Sequence, residues 1–363
     1  MPAYIDDTAF PYVTTNNVAL NMKTRNIIGI LLAFFSVAWS TAAEPENMQQ
    51  VCDSVVPAAL SEYKIGSACA VVVNVPDGRV LAVGEYATEG AFAPIRLTER
   101  AHVGLLIQPL VLLTVLEQGH VSLNSYVSCA PLQVSPGFTI EDAPFHYGAL
   151  TCRQVIKKSS FAGTARMMTL VKPEVLVAQF ARLGVEVPTA ATSGMKKYLS
   201  LVRFFKQNPM NLAAAYTAIG REGRYAPLAA DGETPRETVA AMKPTTAAAV
   251  LSAMESSTER KGAAGRGTAV AAAIPGYRVA CKTTTLKYNE HRPHPTFTNH
   301  KEAVVDAGIV LMLSADKPQL LVLLMLKDVR SEQVTPGGGT VAAPVARRIA
   351  ELGIKLLNIP PGE

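Results

Sequence analysis

Apolar and polar positions along the chain change their spacing several times, and each change marks an element. Residues 48–63 place Val51, Val55, Ala58 and Leu60 on a rough apolar face, which predicts a helix. Ala68–Val75 is β-branched and apolar, Pro76-Asp77-Gly78 supplies turn chemistry, and Arg79–Gly84 is apolar again, so a hairpin is predicted. Leu105–Gln118 is apolar nearly all round and stops at Gly119, as a buried helix does. Residues 121–150 are rich in Pro, Ser and Gly and predict an irregular excursion. Helical spacing returns over Cys152–Leu183, Asn211–Gly223 and Thr245–Glu255. Arg278–Leu286, Ala303–Ser314 and Gln319–Lys327 then predict three strands, and Val341–Leu357 a last helix before Pro360 and Pro361. Strands thus sit at both chain ends with helices between them. That order predicts an α+β body, an antiparallel sheet flanked by helices with a mostly helical insert. One domain is expected over 48–357, its sheet part at about 48–100 and 275–357 and its insert at about 101–274.

Composition narrows the class. The chain has 363 residues, 49% of them hydrophobic and 17% charged, which is ample for a large core and too apolar for disorder. The net charge of +5 is mild, and no Lys/Arg block is interleaved with aromatics, so no nucleic-acid partner is expected. Lys23 and Arg25 precede the apolar run Ile27–Trp39, and Ser40, Thr41, Ala42 and Ala43 follow, which is the order of a secretory signal. The run is roughly 13 residues, short of the about 20 that span a bilayer. Residues 1–43 are therefore read as leader and signal peptide, with a retained anchor as the alternative. If the signal is cleaved, no stable membrane span is expected. Met22-Lys23 makes a normal start, so residues 1–21 are read as a mis-called extension. Export places the protein in the periplasm or cell envelope and permits disulfides. Of the five cysteines, Cys129 and Cys152 flank one loop-rich stretch and form the expected pair, with five buried thiols as the alternative.

Three segments carry a resemblance. The first is Gly104-Leu105-Leu106-Ile107-Gln108-Pro109, running into Thr114-Val115-Leu116-Glu117-Gln118-Gly119. The second is Tyr147-Gly148-Ala149-Leu150-Thr151, followed by Ser159-Ser160-Phe161. The third is Gly276-Tyr277-Arg278-Val279-Ala280-Cys281-Lys282-Thr283-Thr284-Thr285. Together they resemble the transpeptidase domain of class B penicillin-binding proteins, whose motifs are Gly-Ser-x-x-Lys-Pro, Ser-x-Asn and Lys-Thr-Gly-Thr. Supporting stretches keep the family's order: Asp77–Ala82, Met210–Tyr216, and Pro336-Gly337-Gly338-Gly339 with Val341–Val345. The resemblance covers about residues 65–350 and implies a β-lactamase-like fold.

Position by position, the resemblance implies a site without its reacting groups. Acyl transfer needs a serine, with a lysine three residues on to take its proton. Leu105 and Gln108 stand at those places, and no serine lies between Ser67 and Ser122 to replace the first. Ser159 matches the family's relay serine, while Phe161 replaces the asparagine that holds the substrate amide. Lys282 and Thr285 match the residues that bind the substrate carboxylate. Thr284 replaces a glycine, and a β-branched residue there crowds a substrate lying along the strand. The binding-cleft candidates are therefore Ser159, Phe161, Lys282, Thr283, Thr284 and Thr285. Strand alternation turns Cys281 away from Lys282 into the core. The patterns Ser193-x-x-Lys196 and Ser314-x-x-Lys317 are read as chance matches.

His291, His294 and His300 fall in one predicted loop and are weak candidate metal ligands, more simply a solvated hairpin loop. No cofactor and no metal is expected. The expected function is a non-catalytic, transpeptidase-like domain of the cell envelope that binds peptidoglycan stem peptides or cell-wall synthesis proteins. The alternative is an active D,D-transpeptidase or serine acyltransferase with a displaced nucleophile.

Overall fold

A computed structural model describes residues 45–361, apart from 92–93, 143, 230–232, 235, 263 and 288–303. The predicted leader therefore lies outside the described residues, as do His291, His294 and His300. Helix α1 (Met48–Glu62) opens the described chain, and the Asn47 side chain caps it by accepting from the Gln50 N–H at 2.9 Å. Strands β1 (Ile65–Asn74) and β2 (Arg79–Ala87) form the predicted hairpin. Strand β3 (Ala101–His102) leads into a 3-10 turn at Gly104–Ile107 and then helix α2 (Gln108–Glu117), with Pro109 at its first turn.

The insert continues with β4 (Tyr126–Ser128), β5 (Leu132–Ser135), β6 (Phe138–Ile140) and β7 (Ala149–Thr151). Helices α3 (Cys152–Lys158), α4 (Phe161–Met168), α5 (Pro173–Ala181) and α6 (Met195–Phe204) follow. Then come β8 (Lys206–Gln207), α7 (Pro209–Gly220), β9 (Arg224–Tyr225), β10 (Val239–Ala240) and α8 (Pro244–Glu255). The chain ends with β11 (Val279–Lys287), β12 (Val305–Leu313), β13 (Leu320–Val329) and α9 (Ala343–Leu356).

The main sheet is antiparallel throughout, in the order β11-β12-β13-β1-β2. Both faces are covered. One carries α1 and α9 over Ala70, Val72, Ile309, Leu311, Val322 and Leu324. The other carries the insert helices over Val71, Val73, Val310, Met312, Leu321 and Leu323. This double cover explains why β1, β12 and β13 read as nearly unbroken apolar runs, whereas the edge strand β2 alternates. It also makes β11 the outer edge beside the insert, where Lys282 and Thr284 point toward the helices and Cys281 toward the opposite core.

Several local expectations change. The stretch predicted as irregular holds two small ladders, β4–β7 and β5–β6. Cys152–Leu183 is three helices because Ser159 turns left-handed (φ 55°) and Pro173 starts a new helix. Ala58 is exposed, and the buried face of α1 is instead Val51, Cys52, Val55, Val56, Ala59 and Leu60. The expected Cys129–Cys152 bond is not formed, and all five cysteines are buried thiols. The Cys129 N–H pairs with Gly148 O and the Cys152 N–H with Ser125 O, at opposite ends of the β4–β7 ladder. Four ladder positions at about 3.4 Å each exceed the roughly 7 Å between Cα atoms that a disulfide spans.

Candidate functional site

Three pieces of backbone converge at the insert side of β11: the 3-10 turn before α2, the two-residue link between α3 and α4, and the strand itself. The turn at Gly104 needs its glycine, since φ is +48° and an added Cβ would lie 2.4 Å from Thr284 Oγ1. Leu105 follows with its side chain buried, and its N–H donates to Thr284 Oγ1 at 2.9 Å. Gln108, one turn on, is 0% exposed. Its amide nitrogen donates to Ser160 O at 2.8 Å and to Thr164 Oγ1 at 2.7 Å, while its Oε1 is buried without a partner. Burying an unsatisfied acceptor costs about 1–3 kcal/mol. The group at this position is therefore anchored into α4 and has no basic atom to offer.

The α3–α4 link divides two roles between adjacent serines. Ser159 ends α3 in a left-handed conformation, and its hydroxyl meets the Lys282 ammonium at 2.5 Å and Thr268 Oγ1 at 3.3 Å. Ser160 begins α4, accepting from Gly163 N at 2.8 Å and donating to Asp142 Oδ2 at 2.5 Å. Asp142 also accepts from the N–H groups of Phe161 (2.5 Å) and Ala162 (3.3 Å). Burial pushes the Asp142 carboxyl up from the ordinary carboxylate range, and these donors oppose that push. Phe161 projects its ring against the Arg203 guanidinium, 5.1 Å from the ring centre, as a cation–π pair.

On the strand, Lys282 is fully buried and donates to Ser159 Oγ and to Thr283 O (2.7 Å). No carboxylate among the described residues is paired with it, so desolvation pulls its ammonium down to about 7. Thr283 is buried. The Thr285 hydroxyl accepts from Gly338 N at 2.9 Å, which leaves its own proton to donate. Gly338 must be a glycine, because a Cβ there would lie 2.4 Å from Thr284 O.

The structure thus brings Leu105 to Thr284, Gln108 to Ser160 and Ser159 to Lys282 along one side of β11, where the resemblance expects the binding groove, with Gln108 and Lys282 fully buried, Phe161 turned to Arg203 and Thr285 to Gly338. Ser193 stands elsewhere on an exposed turn, and Lys197 rather than Lys196 reaches its hydroxyl, at 3.0 Å. Sequence reasoning missed Asp142, Thr164 and Thr268, and named Gly338 only within a supporting stretch and not as a site residue. None of these four is linked to its partners by local spacing except Thr164, which back-bonds to Ser160 O four residues earlier at 2.7 Å. Among the described residues no cluster of His, Cys, Asp and Glu could hold a metal ion. Among them, too, no helix is long and apolar enough to cross a membrane.

The sheet order and the helices on its two faces are those of a β-lactamase-like fold. The penicillin binding protein transpeptidase domain matches residues 68–351, and the chain belongs to that family, in its class B branch. It is 26% identical over 342 residues to peptidoglycan D,D-transpeptidase FtsI of Escherichia coli K12, which covers 87% of this chain and 56% of that protein. A probable peptidoglycan D,D-transpeptidase PbpC of Pseudomonas aeruginosa is also 26% identical, over 87% of this chain and 58% of its own length. The chain therefore spans a little over half the length of these relatives. Among solved structures, the apo transpeptidase domain of Burkholderia pseudomallei penicillin-binding protein 3 superposes with a TM-score of 0.71 at 25% identity, covering 87% of this chain and 96% of that one. The apo form of Mycobacterium tuberculosis penicillin-binding protein 3, at 21% identity and TM-score 0.74, shares the fold over 87% of this chain and 79% of its own.

Proposed function

We propose that this chain is a non-catalytic transpeptidase-like domain, exported to the cell envelope, that binds peptidoglycan stem peptides or cell-wall enzymes. One observation carries the reading. Where acyl transfer needs a hydroxyl and an amine one turn apart, Leu105 offers hydrocarbon and Gln108 an amide tied to Ser160 O and Thr164 Oγ1. The Leu105 N–H, the amide best placed to stabilise an oxyanion on a nucleophile at that residue, is already given to Thr284. Loss of a serine nucleophile alone costs about 10⁶-fold in a serine hydrolase. Binding needs less. The Thr285 proton remains a donor for a peptide carboxylate, while Lys282, fully buried against Ser159, acts behind it.

The test is incubation with a fluorescent penicillin followed by denaturing electrophoresis. No covalent band is expected, and a band would end the reading. Weak binding of a D-alanyl-D-alanine peptide, measured by calorimetry and lost in Thr285→Val, would support the binding role.

A second reading rests on the Ser159–Lys282 contact. A buried lysine that titrates at about 7, 2.5 Å from a hydroxyl, is a nucleophile–base pair in the displaced-nucleophile alternative. In that chemistry Ser159 Oγ attacks the β-lactam carbonyl carbon and its proton passes to neutral Lys282 Nζ. The ring C–N bond breaks, and the departing nitrogen takes that proton. This reading requires the label on Ser159 and its loss in Ser159→Ala, so one peptide map separates the two.

A further inference from the structure

Beyond the groove, and meeting it at Thr284 and where Arg203 lies on Phe161, a cavity of about 460 Å³ opens between the segment 94–102, the β3–β8 pair and the ends of β11 and β13. Its floor is apolar, with buried Ile95, Leu286, Met325 and Leu326. At its mouth the ring of Phe204 is 45% exposed. Around this floor stand the cationic side chains Arg96, Arg100, Arg203, Lys206 and Lys327, against the carboxylates of Glu99 and Asp306.

The positive excess survives the internal pairing. Arg96 is offset by Glu85 at 2.8 Å. Arg100 donates to a carbonyl, Glu186 O at 2.8 Å, and Arg203 to Glu141 O at 3.1 Å. Neither guanidinium has a carboxylate within salt-bridge distance among the described residues; Arg203 Nε is buried without a hydrogen-bond partner, while the nearby Glu141 and Asp142 carboxylates offset part of the Arg203 charge and its face lies on the Phe161 ring. Lys206 has no partner among the described residues. Cations with unfilled donors beside hydrocarbon favour a ligand that brings both carboxylates and an apolar group. Size argues against a simple inorganic anion, since cavities of about 300–1,000 Å³ suit drug-sized or short peptide ligands.

We infer that this cavity docks an acidic peptide segment of a partner protein, its apolar side chain on the Ile95–Met325 floor and its carboxylates against Arg100, Arg203 and Lys206. The inference stands whether or not the Leu105 groove is inert, because it rests on Arg100 and Lys206 as well as on Arg203, which alone of the three is paired with the Phe161 ring.

Fluorescence anisotropy of the full chain tests it with a labelled hexapeptide of alternating Asp and Leu, beside its Asn/Leu counterpart. The acidic probe should bind about tenfold more tightly or better, and the preference should fade with added salt. Arg100→Glu with Lys206→Glu should weaken it by about tenfold or more at unchanged Tm. Both side chains are exposed, and Lys206→Ser alone serves as a milder variant should the pair unfold. Equal binding of both probes, no effect of the variants, or no binding at about 1 mM would overturn the assignment. So would displacement of the acidic probe by a D-alanyl-D-alanine stem peptide at lower concentration, which would assign the cavity to the cell wall instead of a protein segment.

Discussion

Leu105, Gln108, Phe161 and Thr284 act as a unit, so changing one of them should restore nothing. Leu105→Ser alone would place a hydroxyl beside an amide with no basicity, with its oxyanion donor still held by Thr284. Gln108→Lys alone would supply an amine, for which Ser160 O and Thr164 Oγ1 are ready acceptors, but no nucleophile. Because losses within a catalytic group are far from additive, only the variant carrying Leu105→Ser, Gln108→Lys, Phe161→Asn and Thr284→Gly together is expected to bind labelled penicillin covalently. Equal labelling by Leu105→Ser would refute the point. Lys282 makes a separate prediction. An unfolded lysine titrates near 10.4, whereas Lys282 in the fold titrates at about 7. Between these values the unfolded chain holds a proton that the folded chain lacks, so the Lys282 contribution to stability rises with pH. Below about 7 both states hold the proton, and the fold bears the full cost of a buried ammonium. Lys282→Met, which leaves Ser159 its contact with Thr268 (3.3 Å), should raise Tm at pH 6 and raise it less at pH 10. A gain independent of pH in calorimetric scans would remove the buried charge as its cause.

At the scale of elements, the α3–α4 link decides where the groove lies. Ser160→Ala removes the N-cap of α4 and strips Asp142 of one of its two 2.5 Å donors, leaving a buried carboxylate with the N–H groups of Phe161 and Ala162. A cap loss of about 1 kcal/mol plus part of a charged hydrogen bond gives an expected cost of about 2–3 kcal/mol, read from urea unfolding. A cost below about 0.5 kcal/mol would mean that Asp142 holds α4 without the serine. Elements with unambiguous spacing were legible in the sequence: the β1–β2 hairpin around Pro76-Asp77-Gly78, α2 stopping just before Gly119, and the apolar runs of β12 and β13. The break at Ser159 was not, because the helix-favouring residues on both sides hide a left-handed residue stabilised by Lys282 far along the chain. Helix α6 was missed for a related reason. Its apolar face, Tyr198, Leu199, Leu201 and Val202, is short and sits among Lys196, Lys197 and Arg203. Of the groove, the residues that mark the family motifs were legible, whereas Asp142 lies in a loop whose partner helix starts 19 residues later.

At the scale of the molecule, the sheet joins chain ends that are far apart in sequence. Strand β13 lies between β12 and β1, so the first hairpin meets the C-terminal strands only through it. Its residues Leu320, Leu321, Val322, Leu323 and Leu324 are fully buried, divided between the core under α9 and the core under the insert. Each such side chain stabilises the fold by about 1.5–3 kcal/mol, an upper estimate because unfolded chains already bury some surface. Five of them match a typical net stability of about 5–15 kcal/mol. Apart from one isolated bridge from Arg79 to Ala229, the β1–β2 hairpin pairs with no other strand among the described residues, and β1 is apolar on both faces, so losing β13 exposes two cores at once. Ending the chain after Asp316, which removes β13 and α9, should therefore abolish the native state rather than trim it. Limited trypsin digestion should find no protected fragment, and circular dichroism should show no cooperative transition in urea. Ending the chain after Pro360 keeps Ile359, whose carbonyl accepts from Tyr277 Oη at 2.9 Å, and should leave both measurements unchanged. A protected core in the chain ended after Asp316 would mean that β1, β2 and the insert fold without the late strands, contrary to the pairing that joins the two ends of the chain.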